Sequence, residues 1–194
     1  MSLETLKSRL VERLAPIDSW RPGVRPARSD FDLNPTMNRI AAELRPAAVL
    51  VPVIARADGA TVLLTRRADT LASHTGQIAF PGGRLDPGED AVTAALREAD
   101  EEVAMDPAAV EVLGLSDAYE TGTGFLVTPV VGWLHEPPRV TPSPDEVAEV
   151  FETPWNFLMD AANHHQDFYD VDAGLRRWFW AMPWGERYIW GATA

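Results

Sequence analysis

Apolar and polar residues alternate along several short segments of the chain, as they do in half-buried β-strands. The first two candidates are separated by Asp58-Gly59, a dipeptide typical of hairpin turns. Pro129 interrupts a later segment, which suggests an edge strand or a bulge because proline cannot donate a ladder hydrogen bond. Residues 167–190 are expected to form antiparallel strands that turn at 172–174. The other predicted strands are 47–55, 61–65, 110–115, 126–135 and 147–151.

Apolar residues also recur at helical spacing in two places. Ser2 can cap a helix that runs to about Ala15, and a second helix falls within residues 89–105. A short helix is expected near residues 155–161. The predicted apolar faces are Leu3, Leu6, Leu10 and Leu14 on the first helix, and Val92, Leu96, Ala99 and Val103 on the second. Strands before and after one central helix, without regular strand–helix alternation, indicate an α+β fold.

Composition narrows the class of protein. A chain of 194 residues with 46% hydrophobic content can bury one sizeable core. It contains no cysteine, which excludes disulfides and thiolate chemistry, and its net charge of −12 argues against binding nucleic acid or anionic membranes. The absence of a membrane-spanning run or a signal-peptide core favours a cytoplasmic enzyme. We expect residues 1–45, a helix and a Pro-rich arm, to pack on a domain formed by residues 46–194.

Four glutamates gather on and around the second helix, at positions 89, 98, 101 and 102. Glu98 and Glu102 are four residues apart, so they project from nearly the same face about 6 Å apart, with Glu101 beside them. Carboxylates that close repel one another unless a cation lies between them, and hard oxygen ligands suit Mg²⁺ or Mn²⁺. The alternative is a solvated acidic face in which Arg97 pairs with Glu101. Acidic residues at a helix C-terminus oppose the macrodipole, which favours a functional role.

This stretch resembles the signature of the Nudix hydrolases, in which a glycine, a glutamate and an Arg-Glu/Glu-Glu helix recur at set intervals. The matching residues are Gly83, Glu89, Arg97, Glu98, Ala99, Glu101, Glu102 and Met105. Ala104 stands where the family has glycine, and we expect a slightly altered helix exit there. The resemblance implies a mixed β-sheet between helices.

Directly upstream, residues 63–83 resemble the extended signature of the Nudix branch that hydrolyses coenzyme A. The matching residues are Leu63, Leu64, Thr65, Arg67, Leu71, His74, Gly76, Phe80, Pro81, Gly82 and Gly83. Ala68 replaces the usual serine, which puts a role for that hydroxyl in question.

The resemblance implies roles for individual side chains. Metal ligands would be Glu98, Glu102 and Glu101, with a backbone carbonyl at Gly83. Substrate contacts would come from Arg67, His74, Gln77 and Gly82, with Arg66 facing the other way on its strand. Catalytic carboxylates would be Glu98, Glu101 and Glu120. The general base stays open between Glu101 and Glu120, and Glu89 is expected to pair with Arg97.

These expectations describe a Mg²⁺- or Mn²⁺-dependent pyrophosphatase acting on coenzyme A or its thioesters. The alternatives are a Nudix enzyme for ADP-ribose or a nucleoside triphosphate, and a non-catalytic nucleotide-binding module. The partner is a small-molecule substrate, and the oligomeric state stays open, with a homodimer as one option.

The four C-terminal tryptophans, at positions 178, 180, 184 and 190, have two interpretations. They could stack on an adenine, or they could fill the core and cover a sheet face. The second interpretation is favoured because aromatic side chains gain much from burial.

Overall fold

The computed structural model of the protein describes residues 1–24, 26, 28–39, 43–68, 76–171 and 174–194. The α-helices are α1 (Leu3–Arg13), α2 (Ala91–Val103) and α3 (Trp155–Leu158). The β-strands are β1 (Arg28–Ser29), β2 (Arg45–Arg56), β3 (Gly59–Arg67), β4 (Ile78–Ala79), β5 (Gly82–Arg84), β6 (Glu111–Leu115), β7 (Tyr119–Glu120), β8 (Phe125–Leu134), β9 (Val147–Pro154), β10 (His165–Val171), β11 (Leu175–Trp184) and β12 (Arg187–Trp190). Within these ranges, no helix has the length and apolar character needed to cross a bilayer.

Across the described residues, β1 to β9 form one mixed sheet, and β10 to β12 form a separate antiparallel sheet. The path through the larger sheet runs β1-β7-β8-β2-β3-β4, while β5, β6 and β9 pair with β2, β8 and β3. Strands β2 and β8 are parallel, and their register runs from Arg45 opposite Phe125 to Ile54 opposite Leu134. Because parallel neighbours need a long connection, the chain between them has room for α2 to pack on the sheet.

Helix α2 lies on one face of the larger sheet through small side chains. Asp90 caps its N-terminus by accepting a hydrogen bond from the Thr93 N–H at 2.8 Å. The buried alanines of α2 are Ala91, Ala94, Ala95 and Ala99, which pack in one cluster with Ala48, Leu50 and Val130 of the sheet. Ala99 and Val103 are buried as expected, whereas Val92 and Leu96 are only partly buried at the edge of this cluster. Small residues let the helix approach the strands closely, which also brings the glutamates of α2 close to the sheet.

The altered helix exit that was predicted at Ala104 is wrong. Ala104 takes the left-handed conformation, with φ 52° and ψ 40°, and its N–H donates to the Asp100 carbonyl at 2.8 Å. For an alanine, this conformation is about 1–2 kcal/mol less favourable than a right-handed one. The helix therefore ends as it would with glycine, at a cost in stability.

The opposite face of the larger sheet is covered at one end by α1, α3, β11 and β12. Helix α1 is capped by Ser2 as expected and ends at Arg13, two residues early. The apolar residues in this cluster include Leu6, Val53, Val62, Trp133, Leu158, Met182 and Ile189. The predicted α+β architecture, a mixed sheet between helices, is confirmed. At its other end, near Arg45, the same face opens into a cleft.

The predicted strands of the larger sheet are all present, with ends shifted by up to three residues. Arg56 pairs with Gly59, so the hairpin turn is Ala57-Asp58, one residue before the predicted position.

Pro129 lies in an interior strand, so the predicted edge position is wrong. Along one side of β8, residues 130–133 pair with β6, and Leu126 and Val127 pair with β7. Pro129 falls in the gap between these two pairings. The Pro129 carbonyl accepts a hydrogen bond from the Ser116 N–H at 2.9 Å, on the side of the gap. An N–H at residue 129 would face the same gap, so its absence removes no hydrogen bond to β6 or β7. The bulge lies in β6, between Val112 and Gly114.

The C-terminal sheet carries aromatic side chains that were expected to fill the core and cover a sheet face. Trp184 packs against Phe157, with ring centroids 4.7 Å apart, as the core interpretation predicts. Trp178 and Trp180, on one face of β11, are 37% and 40% exposed, so they do not fill the core. Trp178 instead covers the sheet face against Phe168, with ring centroids 5.0 Å apart. The predicted antiparallel pairing is confirmed, although residues 172–173 of the predicted turn lie outside the described residues.

Candidate active site

Glu102 is the most deeply buried carboxylate of α2, with 3% of its surface exposed. Its Oε2 atom has no hydrogen-bond partner among the described residues, and the Arg67 Nη1 atom lies 3.7 Å from Oε1. Burial raises the pKa of Glu102 to about 7, against the pull of Arg67, and the negative charges of Glu98 and Glu146 raise it further. A buried, incompletely bonded carboxylate is costly for folding, and a bound cation would remove that cost.

Glu98 lies one helical turn before Glu102 and is half-buried against β5. Burial raises the pKa of Glu98, the neighbouring Arg97 lowers it, and Glu101 and Glu146 raise it again. A methyl group on Gly83 would overlap the Glu98 carboxylate, so the carboxylate keeps this position only because residue 83 has no side chain. The close approach leaves the backbone of β5 directly beside the carboxylate.

Arg97 binds the outer carboxylates of the cluster. Its guanidinium donates to Glu89 at 2.9 and 3.0 Å, to Glu98 at 3.1 Å and to Glu101 at 2.9 Å. It also donates to the Arg84 carbonyl at 3.0 Å, which ties α2 to β5. These bonds raise the pKa of Arg97, and the bonds that it donates to Glu89 contribute most. The same bonds lower the pKa of Glu89. The predicted Glu89–Arg97 pair is confirmed, and so is the i, i+4 pair of Arg97 with Glu101.

The donor set suits a hard divalent cation, although the side chains do not converge as they stand. In the part of the chain that the structure describes, no three acidic or histidine side chains are close enough together to hold a metal ion. Arg97 accounts for this, because it holds Glu98 and Glu101 on its own side while Glu102 points inward. The unpartnered Glu102 oxygen and the adjacent Glu98 carboxylate fit Mg²⁺ or Mn²⁺, which bind carboxylate oxygens and water.

Glu146 is a further carboxylate at this site, and sequence reasoning did not identify it as a site residue. The loop before β9 is bonded to the end of α2, where the Thr141 and Ser143 N–H groups each donate at 2.8 Å to the carbonyls of Val103 and Glu102. The Glu146 carbonyl accepts from the Ala68 N–H at 2.9 Å, next to Arg67. These bonds place Glu146 close enough to raise the pKa values of Glu98 and Glu102, and it remains exposed.

A cleft of about 540 Å³ opens beside the carboxylates, on the sheet face opposite α2. Arg67, Gln77 and Gly82, which were predicted as substrate contacts, line it together with Gly83, which was predicted as a backbone metal ligand. The remaining lining residues are Arg45, Ala47, Val49, Ala79, Phe80, Arg84, Tyr119, Thr121, Thr123, Phe125, Val127, Pro129, Ala192 and Thr193. Arg66 faces away from the cleft as predicted, towards Glu149 at 3.6 Å. His74 lies outside the described residues.

Glu120 does not reach this cleft. It belongs to strand β7 and not to a covering loop, and its neighbours Tyr119 and Thr121 point into the cleft while Glu120 points away. Its side chain is 1% exposed and forms an ion pair with Arg39 of the N-terminal arm. The alternation of side chains along a strand explains why Glu120 is not positioned as a general base.

Comparison with known proteins settles the family. A family model described as the NUDIX domain matches residues 44–179 of this chain. The chain belongs to the Nudix family. The Nudix helix is α2, and the match extends from the start of β2 into β11.

Relatives of similar length share this family. A protein of Escherichia coli K12 named uncharacterized Nudix hydrolase NudL is 42% identical over 165 residues, which is 84% of each chain. A protein of the same name from Cronobacter sakazakii is 44% identical over the same length. Among solved structures, the binary complex of the C. elegans Ap4A hydrolase matches with a TM-score of 0.48 and 24% identity, over 56% of this chain and 79% of that one.

The Nudix helix thus carries two groups of glutamates. Glu98 and Glu102 face the glycines of β5, and Glu98 is also bonded to Arg97, whereas Glu89 and Glu101 are bonded to Arg97 on the outer side. Sequence reasoning missed Glu146, whose position depends on a distant loop, and it missed Arg45 and Arg84 in the cleft. No local pattern in the sequence singles out Arg45 or Arg84.

Proposed function

We propose that this Nudix protein is a Mg²⁺- or Mn²⁺-dependent pyrophosphatase that hydrolyses coenzyme A and its thioesters. The products are 3′,5′-ADP and 4′-phosphopantetheine or its acylated form. The observation that carries this proposal is the buried, unpartnered oxygen of Glu102, which lies next to Glu98 and close to Arg67, an arginine that lines the cleft.

Glu98 and Glu102 would hold the divalent ion, with Glu146 close by and Glu101 available once it leaves Arg97. Bound there, the ion would neutralise the diphosphate oxygens and lower the pKa of a water molecule. The glycines at 82 and 83 let the diphosphate approach the backbone of β5, because neither carries a side chain.

Arg67 is suited to bind a diphosphate oxygen. Its Nε atom is buried without a hydrogen-bond partner among the described residues, and its contact with Glu102 is long, at 3.7 Å. The guanidinium therefore keeps donors for an anionic ligand. Because it also faces Glu102, Arg67 would hold the substrate next to the carboxylates.

Proton removal from the attacking water needs an accessible carboxylate near Glu98 and Glu102. Glu146 and Glu101 are both exposed and both act electrostatically on Glu98. Glu120 is replaced by Glu146 in this role, since Glu120 is buried and paired with Arg39.

The choice of coenzyme A depends on the upstream signature and on the walls of the cleft. Residues of that signature, Arg67, Phe80, Gly82 and Gly83, line the cleft. Val49, Phe80 and Val127 add apolar surface that suits a pantetheine arm, which ADP-ribose and nucleoside triphosphates lack.

The test is product identification by mass spectrometry after incubation with Mg²⁺ and coenzyme A, 3′-dephospho-coenzyme A or ADP-ribose in parallel. We expect 3′,5′-ADP and 4′-phosphopantetheine from coenzyme A, at the highest kcat/KM of the three. Faster cleavage of ADP-ribose would assign the enzyme to the alternative Nudix specificity. No cleavage of any diphosphate would favour a binding module.

A further inference from the structure

Two arginines share one aromatic ring at the open end of the cleft. The Arg45 guanidinium carbon lies 3.9 Å from the centroid of the Phe125 ring, and that of Arg84 lies 5.4 Å from the same centroid. The strand register produces this arrangement, because Phe125 of β8 is opposite Arg45 of β2, and Arg84 of β5 is opposite Ala47, on the cleft side of the sheet. Both guanidinium groups therefore lie against the same ring.

The positive charge here is not compensated by acidic neighbours. In the described chain, neither Arg45 nor Arg84 has a carboxylate within 4.0 Å, whereas Arg67, the third arginine of the cleft, has Glu102. No acidic side chain is among the described residues that line the cleft, although the chain carries a net charge of −12. Like charges held together in this way disfavour each other, and an anion between them would relieve that repulsion.

The surroundings of the pair supply hydrogen-bonding groups and fix one guanidinium. Arg45 donates from Nη2 to the Thr123 carbonyl at 2.7 Å, which leaves its other N–H groups available. The hydroxyl groups of Thr121 and Thr123 lie 3.0 Å apart in the same wall of the cleft. A phosphate group accepts several hydrogen bonds and suits planar guanidinium donors.

The pair is next to the proposed catalytic site and distinct from it. Gly83, which faces the Glu98 carboxylate, directly precedes Arg84 in β5, and consecutive Cα atoms are about 3.8 Å apart. Side chains of neighbouring strand residues point to opposite faces, so Arg84 extends away from the carboxylates and into the cleft. A ligand with its diphosphate at Gly83 could carry a second anionic group to this pair.

We propose that Arg45 and Arg84, assembled on Phe125, form a binding site for a phosphomonoester of the substrate that is separate from the diphosphate. This inference rests on the proposed function, under which the group is the 3′-phosphate of coenzyme A. The pair would then select coenzyme A over its 3′-dephospho form.

The kinetic test compares Arg45→Gln, Arg84→Gln and the double variant with the wild type on coenzyme A and 3′-dephospho-coenzyme A. We expect kcat/KM for coenzyme A to fall about 10- to 100-fold in the double variant, since bonds to charged groups contribute on this scale. For the 3′-dephospho form the change should stay within about 3-fold. Arg9→Gln, which removes an exposed arginine of α1, is the control for loss of positive charge. Equal losses on both substrates, or none on either, would overturn the proposal.

A binding measurement separates this inference from the proposed reaction. Isothermal titration calorimetry with adenosine 3′,5′-bisphosphate and with adenosine 5′-monophosphate needs no hydrolysis. The wild type should bind the bisphosphate at least about 10-fold more tightly, and the double variant should bind both alike. If this preference is found while coenzyme A is not cleaved, the proposed function fails and the phosphate site stands. Equal affinities in the wild type would refute the site whatever the enzyme cleaves.

Discussion

The two sides of the glutamate cluster on α2 differ in how well their charges are bonded. On the outer side, Arg97 makes five hydrogen bonds, to three carboxylates and one carbonyl, so the carboxylates there have a partner within the fold. On the inner side, Arg67 and Glu102 stand 3.7 Å apart, and each keeps a buried polar atom without a partner among the described residues. The outer side stabilises the structure, and the inner side retains bonding capacity for ligands. This contrast separates a structural from a catalytic role among glutamates that look equivalent in sequence.

The largest expected effect comes from the inner carboxylate. Glu102→Gln should lower kcat by about 1,000-fold or more while preserving the fold, because a neutral amide binds Mg²⁺ poorly. Glu89→Gln, the matched change on the outer side, should cost about 10- to 100-fold, since Glu89 positions Arg97 and the loop at Asp86 and would not hold the ion itself. Steady-state kinetics with circular dichroism checks both variants. Similar losses in the two would remove the distinction between the sides.

The same variant should reveal the cost of burying Glu102. The folded state raises the pKa of Glu102 from 4.5 to about 7, so the folded protein holds its proton more tightly than the unfolded chain does. The stability linked to this proton is complete below pH 4.5 and is lost as the pH rises through about 7. Without divalent metal at pH 8, Glu102→Gln should therefore be more stable than the wild type, by up to about 3 kcal/mol. Urea unfolding at pH 4.5 and pH 8 measures this, and an equal gain at both pH values would show that the buried charge of Glu102 is not its source.

Removing the outer arginine should mainly affect folding. Arg97→Met leaves Glu89 and Glu98 without their shared partner, and both are largely buried, so we expect a loss of about 2 kcal/mol in unfolding free energy. Arg139→Met, at an exposed position, provides the control. Chemical denaturation gives the two free energies. Equal stability of the two variants would show that the Arg97 bonds contribute nothing net.

Replacing the inner arginine should have the smallest effect, and we expect that effect on substrate binding. Arg67→Ala should raise KM for coenzyme A about 10-fold with little change in kcat, if the guanidinium binds the diphosphate equally in the ground and transition states. Arg66→Ala, the neighbour on the opposite face of β3, should leave KM unchanged. A fall in kcat alone would instead place Arg67 in contact with the transition state.

The sequence predicted those features that are encoded locally. The spacing of the glutamates, the apolar positions of α2 and the alternation of the strands all act within a few residues, and the Nudix helix and the mixed sheet followed from them. The Glu89–Arg97 pair was anticipated from the family signature, and the Arg97–Glu101 pair followed from helical spacing alone.

The features that were missed depend on contacts between distant segments. Glu146 reaches the site because the loop at 141–146 bonds to the end of α2, and Arg45 and Arg84 reach the same aromatic ring only through the register of three strands. Ala104 kept the left-handed exit because the surrounding packing overrides the preference of alanine. Glu120 alternates with Tyr119 along the two-residue strand β7, which the sequence did not predict, and it therefore points away from the cleft.

Direct binding of a divalent ion is the measurement that decides the central claim. Electron paramagnetic resonance of free Mn²⁺, titrated with the wild type, with Glu102→Gln and with Glu89→Gln, reports metal affinity without any substrate. We expect the wild type to bind Mn²⁺, Glu89→Gln to bind it more weakly, and Glu102→Gln to show no binding over the same range. Undiminished binding by Glu102→Gln would contradict the assignment of this buried carboxylate as a metal ligand.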